Sequence, residues 1–482
     1  MQFRMSVDDI VALLEQYPGG IAAKYQGRLR TEVERVYDKL EPEEDRDDPV
    51  ARLNQRHAVV RMGTKTMILD EREGERAAFM PVEEFNKWYA NETVARGKRR
   101  TPVFKLWFTN PRRRQYEKVV FDPKDENPEH YNLWKGFAVA PDAGKSCEKL
   151  LAHVEDNICA GNQEHYRWVI GYLAHMVQRP WEKPGVALVM RGEEGVGKGF
   201  FASVLGRLCP HHYVVVSQAA HLTGRFNSHH AQCLLMFVDE GFWAGDKQGE
   251  GALKHLVTDH ELLIEQKGVD AFMVRNVTRL IVASNEDWVV PAGAQARRWC
   301  VLDVGNAHAC DREYFGAIAR ELDEGGLQAL MHLLTTFDLS TVDVYRAPKT
   351  AALLEQKEQS MAPHERWWFE CLREGEVRSF DKGEDGCEEI GNDGWPGEIR
   401  KDKLWDSYRA WAQEHNVRAR LWTRQQLHMW LRRLVPDIRE VRRGGGGRKR
   451  AFALPGLDAC REAFARHLGQ EVDWGRERGV LF

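Results

Sequence analysis

Between residues 184 and 305, short apolar runs alternate with stretches of helical periodicity. "GVALVM" (185–190), "HYVVVS" (212–217), "CLLMFVDE" (233–240), "TRLIVASN" (278–285) and "WCVLDV" (299–304) are apolar almost throughout. A strand with one face in water would alternate polar and apolar positions, so these runs predict a parallel sheet covered by helices on both faces. The fold class expected for this segment is an α/β nucleotide-binding core.

The flanking segments have other patterns. "SVDDIVALLEQYP" (6–18), with Ser6 or Asp8 as cap, and "GRLRTEVERVYDKL" (27–40) have helical spacing. "EPEEDRDDP" (41–49) reads as an acidic linker or a solvated loop. Short β-like runs ("HAVVRM", "TMILD", "YEKVVFD") between 56 and 140 predict an α+β region, and residues 146–178 are helical in pattern. Helical periodicity returns over 306–370, the Gly- and acid-rich stretch 379–398 reads as a loop or linker, and 400–468 begins helical. The expected division is 1–48 helical, 49–145 α+β, 146–182 a helical collar, 183–305 the α/β core, 306–378 its helical continuation and 379–482 a last domain. No internal repeat is evident.

Composition narrows the class. The 482 residues, 43% hydrophobic and 29% charged, suit a globular protein of several domains with buried cores. Nine scattered cysteines without a C-x-x-C pair predict reduced thiols rather than a disulfide framework or a zinc site. No apolar run is long enough to span a bilayer, and the amino terminus lacks a signal-peptide core. These features predict an unanchored protein of the cytoplasm, with no membrane partner.

"RGEEGVGKGFF" (191–201) carries the candidate chemistry. Gly192, four residues and Gly197-Lys198 have the spacing of a loop that wraps phosphates, between a strand and the helix "FFASVLGRL". Backbone N–H groups over Gly192, Glu193, Glu194, Gly195, Val196, Gly197, Lys198, Gly199 and Phe200 would bind the nucleotide, with Lys198 reaching its outer phosphates. Gly199 stands where such loops carry the Ser or Thr that holds magnesium. Ser203, one helical turn further, is expected to be too distant to replace it.

"CLLMFVDE" ends in two acids: Asp239 suits a magnesium contact and Glu240 a base for the attacking water. A buried strand running out into acidic surface would read the same way. "LIVASN" brings Asn285 to a strand tip, and "ARRWCVLDV" places Arg297 and Arg298 before another strand, where they suit stabilisation of a transferred phosphoryl group.

Taken in order, "GEEGVGKG", "LLMFVDE", "KHLVTDHELLIEQKGVDAFMV", "LIVASN" and "ARRW" resemble a superfamily 3 helicase of the AAA+ type. "YNLWKGFAV", "DNICAGNQEHYRWVIGYLAHMVQ" and "HLTGRFN" resemble the helicase portion of phage and prophage primase-helicase proteins. The resemblance is strong over about 120–305 and loose over 10–470. It implies an AAA+ P-loop core with an α+β amino-terminal region, ATP and Mg2+ as cofactors, and a homo-oligomeric ring, a hexamer. It also implies 3′ to 5′ movement on single-stranded and forked DNA, with a primase-polymerase or other replisome protein as a further partner. "GGIAAKYQGRLRTEVERVYDKL" resembles the tail of a primase-polymerase region, so no catalytic primase domain is expected within this sequence. The family pattern gives Lys198, Asp239, Glu240 and Asn285 the roles above and places a pore hairpin at "LLIEQKGVDAFMV", where Lys267 and Gly268 would meet a DNA phosphate.

Local charge adds a second site. Residues 400–467 hold seventeen Lys and Arg against seven Asp and Glu, although the whole chain has a formal charge of -4. Arg442, Arg443, Arg448, Lys449 and Arg450 surround four glycines after an amphipathic helix, the order of a winged-helix-like DNA-binding domain. "KRR" (98–100) and "RRR" (112–114), interleaved with Phe104, Trp107, Phe108 and Tyr116, read either as a single-strand contact or as core. The sequence thus predicts an ATP-driven ring DNA helicase of a phage or mobile element. Gly199 keeps open an initiator or loader that uses ATP as a switch, whereas a small-molecule kinase leaves the basic carboxyl-terminal segment unexplained.

Overall fold

The computed structural model describes residues 7–15, 28–33, 48–72, 76–96, 99–218, 224, 227–240, 247–266, 269–294, 296–383, 386–390, 394–443 and 449–475. Two compact units divide it, one of residues 1–119 with 126–131 and one of 120–125 with 132–482.

In the first unit Asp48 caps the helix Pro49–Arg56 by accepting the Val50 N–H at 2.9 Å. A four-stranded sheet follows in the order Ala78–Pro81, Lys65–Asp70, His57–Met62, Gln115–Tyr116. Its first three strands pair antiparallel, and the fourth is parallel to His57–Met62. Trp107 and Phe85 are wholly buried, with Phe104 and Phe108 packed against the same cluster. Arg112 pairs with Asp48 and Arg114 with Glu71, which favours the core reading of this aromatic and basic stretch over a single-strand contact.

The second unit is built on the predicted parallel sheet. Its five strands run in the order Tyr213–Val216, Leu235–Asp239, Arg279–Ser284, Ala187–Arg191, Trp299–Asp303, and every pair is parallel. Register aligns Val216, Val238, Val282, Val189 and Val301 in one row across all five strands. Because side chains alternate faces, this row meets Leu253, Leu256, Val257, Ala352 and Leu353 on one side of the sheet. The helix Lys198–Leu208 packs against Leu235–Asp239 and Arg279–Ser284. Each fully buried Val or Leu contributes roughly 1.5–3 kcal/mol, so covering both faces of the sheet stabilises it strongly.

Beyond the sheet, Glu261–Gln266 and Val269–Arg275 form an antiparallel hairpin. Toward the carboxyl end, the helices Lys401–Glu414 and Arg424–Leu434 pack with a three-stranded antiparallel sheet ordered Glu398–Arg400, Lys449–Ala453, Arg439–Arg443. One expectation is corrected: within the stretch read as loop or linker, Ser379–Gly383 pairs antiparallel with Gly386–Ile390. A composition rich in glycine and acids does not prevent two short segments from sharing a hydrogen-bonded ladder.

Among the described residues, no helix is long and apolar enough to cross a membrane. The eight cysteines with described side chains are free thiols.

Candidate nucleotide site

The strand Ala187–Arg191, between Arg279–Ser284 and Trp299–Asp303, delivers the glycine loop to the carboxyl ends of the strands, where open parallel sheets bind ligands. Gly195 (φ +79°) and Gly197 (φ +99°) have left-handed backbones that side chains resist. A Cβ on Gly197 would also meet His153 at 2.7 Å and Phe315 at 2.8 Å. These glycines therefore answer both a turn and a close approach. Gly192 donates to the Ser284 carbonyl at 3.1 Å, tying the loop to the neighbouring strand.

Among the described residues, no acceptor takes the backbone N–H groups of residues 193–197. Together with the first turn of Lys198–Leu208, they leave a row of donors suited to an anion. Lys198 is 6% exposed and donates to the carbonyl oxygens of Gly192 at 2.6 Å and Glu193 at 2.7 Å. Burial pushes its ammonium below the usual lysine range, opposed by the charges of Glu240, Asp239 and Glu194.

Asp239 and Glu240 come from the next strand but one. Asp239 pairs in register with Ala283, and Ser284 with Arg191, so Asp239, Glu240 and Asn285 stand at the same end of the sheet as the loop. Glu240 has φ +52°, a left-handed conformation that costs a residue with a Cβ roughly 1–3 kcal/mol. Its N–H donates to the Ala283 carbonyl at 3.1 Å, which holds the turn.

Magnesium fits this donor set only in part. A Cβ at Gly199 would meet nothing within 4 Å, so the space for a hydroxyl is there and the hydroxyl is not. Ser203 directs its own hydroxyl to the Phe200 carbonyl at 2.7 Å. Asp239 is then the protein carboxylate suited to the metal, with water and the triphosphate completing the set.

Arg297 and Arg298 lie elsewhere. Ala187, at the start of the loop-bearing strand, donates to the Arg298 carbonyl at 2.8 Å, whereas Val304 donates to the Arg191 carbonyl at 2.8 Å at its end. The four steps from Ala187 to Arg191 span about 13 Å at ~3.3 Å each. Both arginines thus sit at the amino ends of the strands, away from the loop of their own chain. Lys267 and Gly268 lie outside the described residues, although the two arms they join are present. Arg448 also lies outside them. Arg442 is paired with Arg450, and Arg443 with Lys449, across the antiparallel Arg439–Arg443 and Lys449–Ala453 strands.

The loop has two supports that its motif did not reveal. His153–Ile158 is a wide π-helical segment, a form often found at functional sites. Asn157 donates through its amide to the Val196 carbonyl at 2.7 Å. His153 is fully buried against Gly197, and burial lowers its pKa to about 4. The backbone of Cys310 donates to the Gly195 carbonyl at 3.1 Å from the other side. Histidine and asparagine four residues apart ahead of a glycine loop were the only sequence signal.

Known proteins share parts of this architecture. Residues 190–298 match a family of unknown function, DUF5906. Over 140 residues the chain is 28% identical to a DNA primase-polymerase of Nitratiruptor phage NrS-1, an overlap of 28% of this chain and 19% of that protein. The chain therefore spans about a fifth of the length of the curated relative it matches. Two apo structures of the NrS-1 C-terminal region align at 18% identity over 85% of this chain, with TM-scores of 0.58 and 0.59 and coverage of 99% and 100% of those chains. At that identity the likeness shows a shared fold, an α/β architecture with the five-stranded parallel sheet.

Proposed function

We propose that this chain is an ATP-driven DNA helicase of the AAA+ superfamily 3 type, assembled as a hexameric ring and acting in phage or mobile-element DNA replication. The convergence of Lys198, Asp239, Glu240 and Asn285 on one end of a parallel sheet carries this reading. In it, the loop and Lys198 bind the ATP phosphates, Glu240 takes a proton from the attacking water, and Asn285 orients that water. Magnesium, when bound, would offset phosphate charge beside Asp239. Arg297 and Arg298, remote from their own loop, would serve ATP held by another copy.

Several features support DNA as the partner. Register sets Arg442 against Arg450 and Arg443 against Lys449, which gathers basic residue types suited to a phosphate backbone on one ladder. The phage relative is named a DNA primase-polymerase, which also favours DNA.

The test is phosphate release stimulated by single-stranded DNA, together with strand displacement on a forked duplex. Nucleotide binding without displacement favours the second reading, a replication initiator or loader switched by ATP. The missing hydroxyl at Gly199 is the observation that supports it.

A further inference from the structure

A cavity of 620 Å³ opens at the amino ends of the sheet strands, the end opposite the glycine loop. Six cations line it: Lys183, Arg297, Arg298, Arg346, Lys349 and Lys357. Its only acidic lining residue is Asp343, which accepts the Tyr345 N–H at 3.1 Å. Among the described residues, none of the six has a carboxylate within 4 Å.

Lys357 makes the imbalance acute. It is 3% exposed, and its ammonium donates to the Leu468 carbonyl at 2.7 Å. Burial, with Lys349 nearby, pushes its pKa down to about 8. Lys183 is lowered by burial to about 7 while donating to the Asp259 carbonyl at 3.1 Å. A hollow in which six cations share a single lining carboxylate is unfavourable by itself, and a multiply charged anion relieves it.

Building on the ring reading, we propose that this cavity receives the terminal phosphates of ATP held in the glycine loop of a second copy of the chain, with Arg346 and Lys349 joining Arg297 and Arg298 as the groups that contact them. The chemistry fits a triphosphate better than a lone phosphate, since four exposed or half-exposed cations stand around a mouth backed by two more. Charge on the transferred phosphoryl group grows as the bond to its leaving oxygen lengthens. Cations brought from outside the binding subunit strengthen at that moment.

The experiment uses the full chain with MgATP, first without DNA and then with single-stranded DNA. Arg346→Ala and Lys349→Ala change side chains on the surface, so both proteins should fold. Each is expected to lose hydrolysis by about a hundredfold, a much larger effect than any loss of MgATP affinity, because the contacts strengthen as charge grows on the transferred group. Mixing Lys349→Ala with Lys198→Ala, whose cavity is intact and whose loop is dead, should restore part of the rate. Hydrolysis at the wild-type rate in both variants, while Arg298→Ala is inactive, overturns the added contacts and leaves the ring reading intact. Failure of the mixture to recover places Lys349 within its own chain's chemistry, and overturns the inference likewise. Loss confined to the DNA-stimulated part of the rate assigns the cavity to nucleic-acid phosphates instead, again against the proposal. A wild-type chain that neither associates nor hydrolyses ATP overturns the ring reading and this inference together.

Discussion

The His153 ring stands 2.7 Å from the point where a Cβ on Gly197 would project. That closeness locks the glycine loop onto the π-helical segment beneath it. Gly197→Ala must move His153 and also hold φ near +99° with a side chain attached, a strain on the order of 1–3 kcal/mol. The expected result is loss of ATP binding with a lowered melting temperature. A Gly197→Ala protein that binds ATP normally sinks the account of the loop.

Lys198 and Glu240 should separate binding from chemistry. Lys198→Ala is expected to abolish hydrolysis and weaken ATP binding. Glu240→Gln should keep ATP bound and cut the turnover by about a hundredfold or more. Equal loss of affinity in both variants, measured by titration with a fluorescent nucleotide, contradicts the separate roles.

Gly199 offers a gain-of-function test. Open space around its Cβ position accepts Gly199→Ser without a clash. The new hydroxyl should lower the magnesium concentration needed for half-maximal hydrolysis by several-fold. Ser203→Ala, which removes a hydroxyl already bonded to Phe200, should leave that concentration unchanged. An unaltered magnesium curve for Gly199→Ser shows that Asp239 and water already suffice.

Acid should destabilise both units. Burial lowers the pKa of His57 in the first unit, and of His153, His175 and His428 in the second, to about 4. Unfolding returns each ring to a pKa of about 6.5, so between those values the unfolded chain binds more protons. Stability is then complete above about pH 6.5 and falls as the pH drops toward 4. The melting temperature should decline over that range, and a flat profile is incompatible with neutral buried rings.

Cooperation between copies is open to a mixing test. Arg298→Ala and Lys198→Ala proteins, each inactive, should together regain hydrolysis, because one supplies a working loop and the other working arginines. Persistent inactivity, also with Arg297→Ala, locates hydrolysis within a single chain.

Much of this site was legible in the sequence because a strand buried on both faces leaves an uninterrupted apolar run. "CLLMFVDE" announced both the strand Leu235–Asp239 and the acids at its end. Strand order was another matter: nothing in "LIVASN" says that it lies between the loop strand and the acid strand, since neighbours are chosen by packing of the whole sheet. His153 and Asn157 were hidden for a similar reason. They reach the loop across about forty residues of chain through tertiary contact, and local periodicity records only their helix. The Ser379–Gly383 hairpin escaped because glycine-rich acidic composition reports exposure more strongly than pairing.

The separation of the glycine loop and the Arg298 cavity at opposite ends of one sheet restricts how copies can join. Two copies related by a two-fold axis could set loop against cavity at both contacts only by lying antiparallel, and that pair would be complete at two copies. Head-to-tail stacking satisfies every junction identically, and always leaves one unmatched surface at each terminus until the series closes on itself.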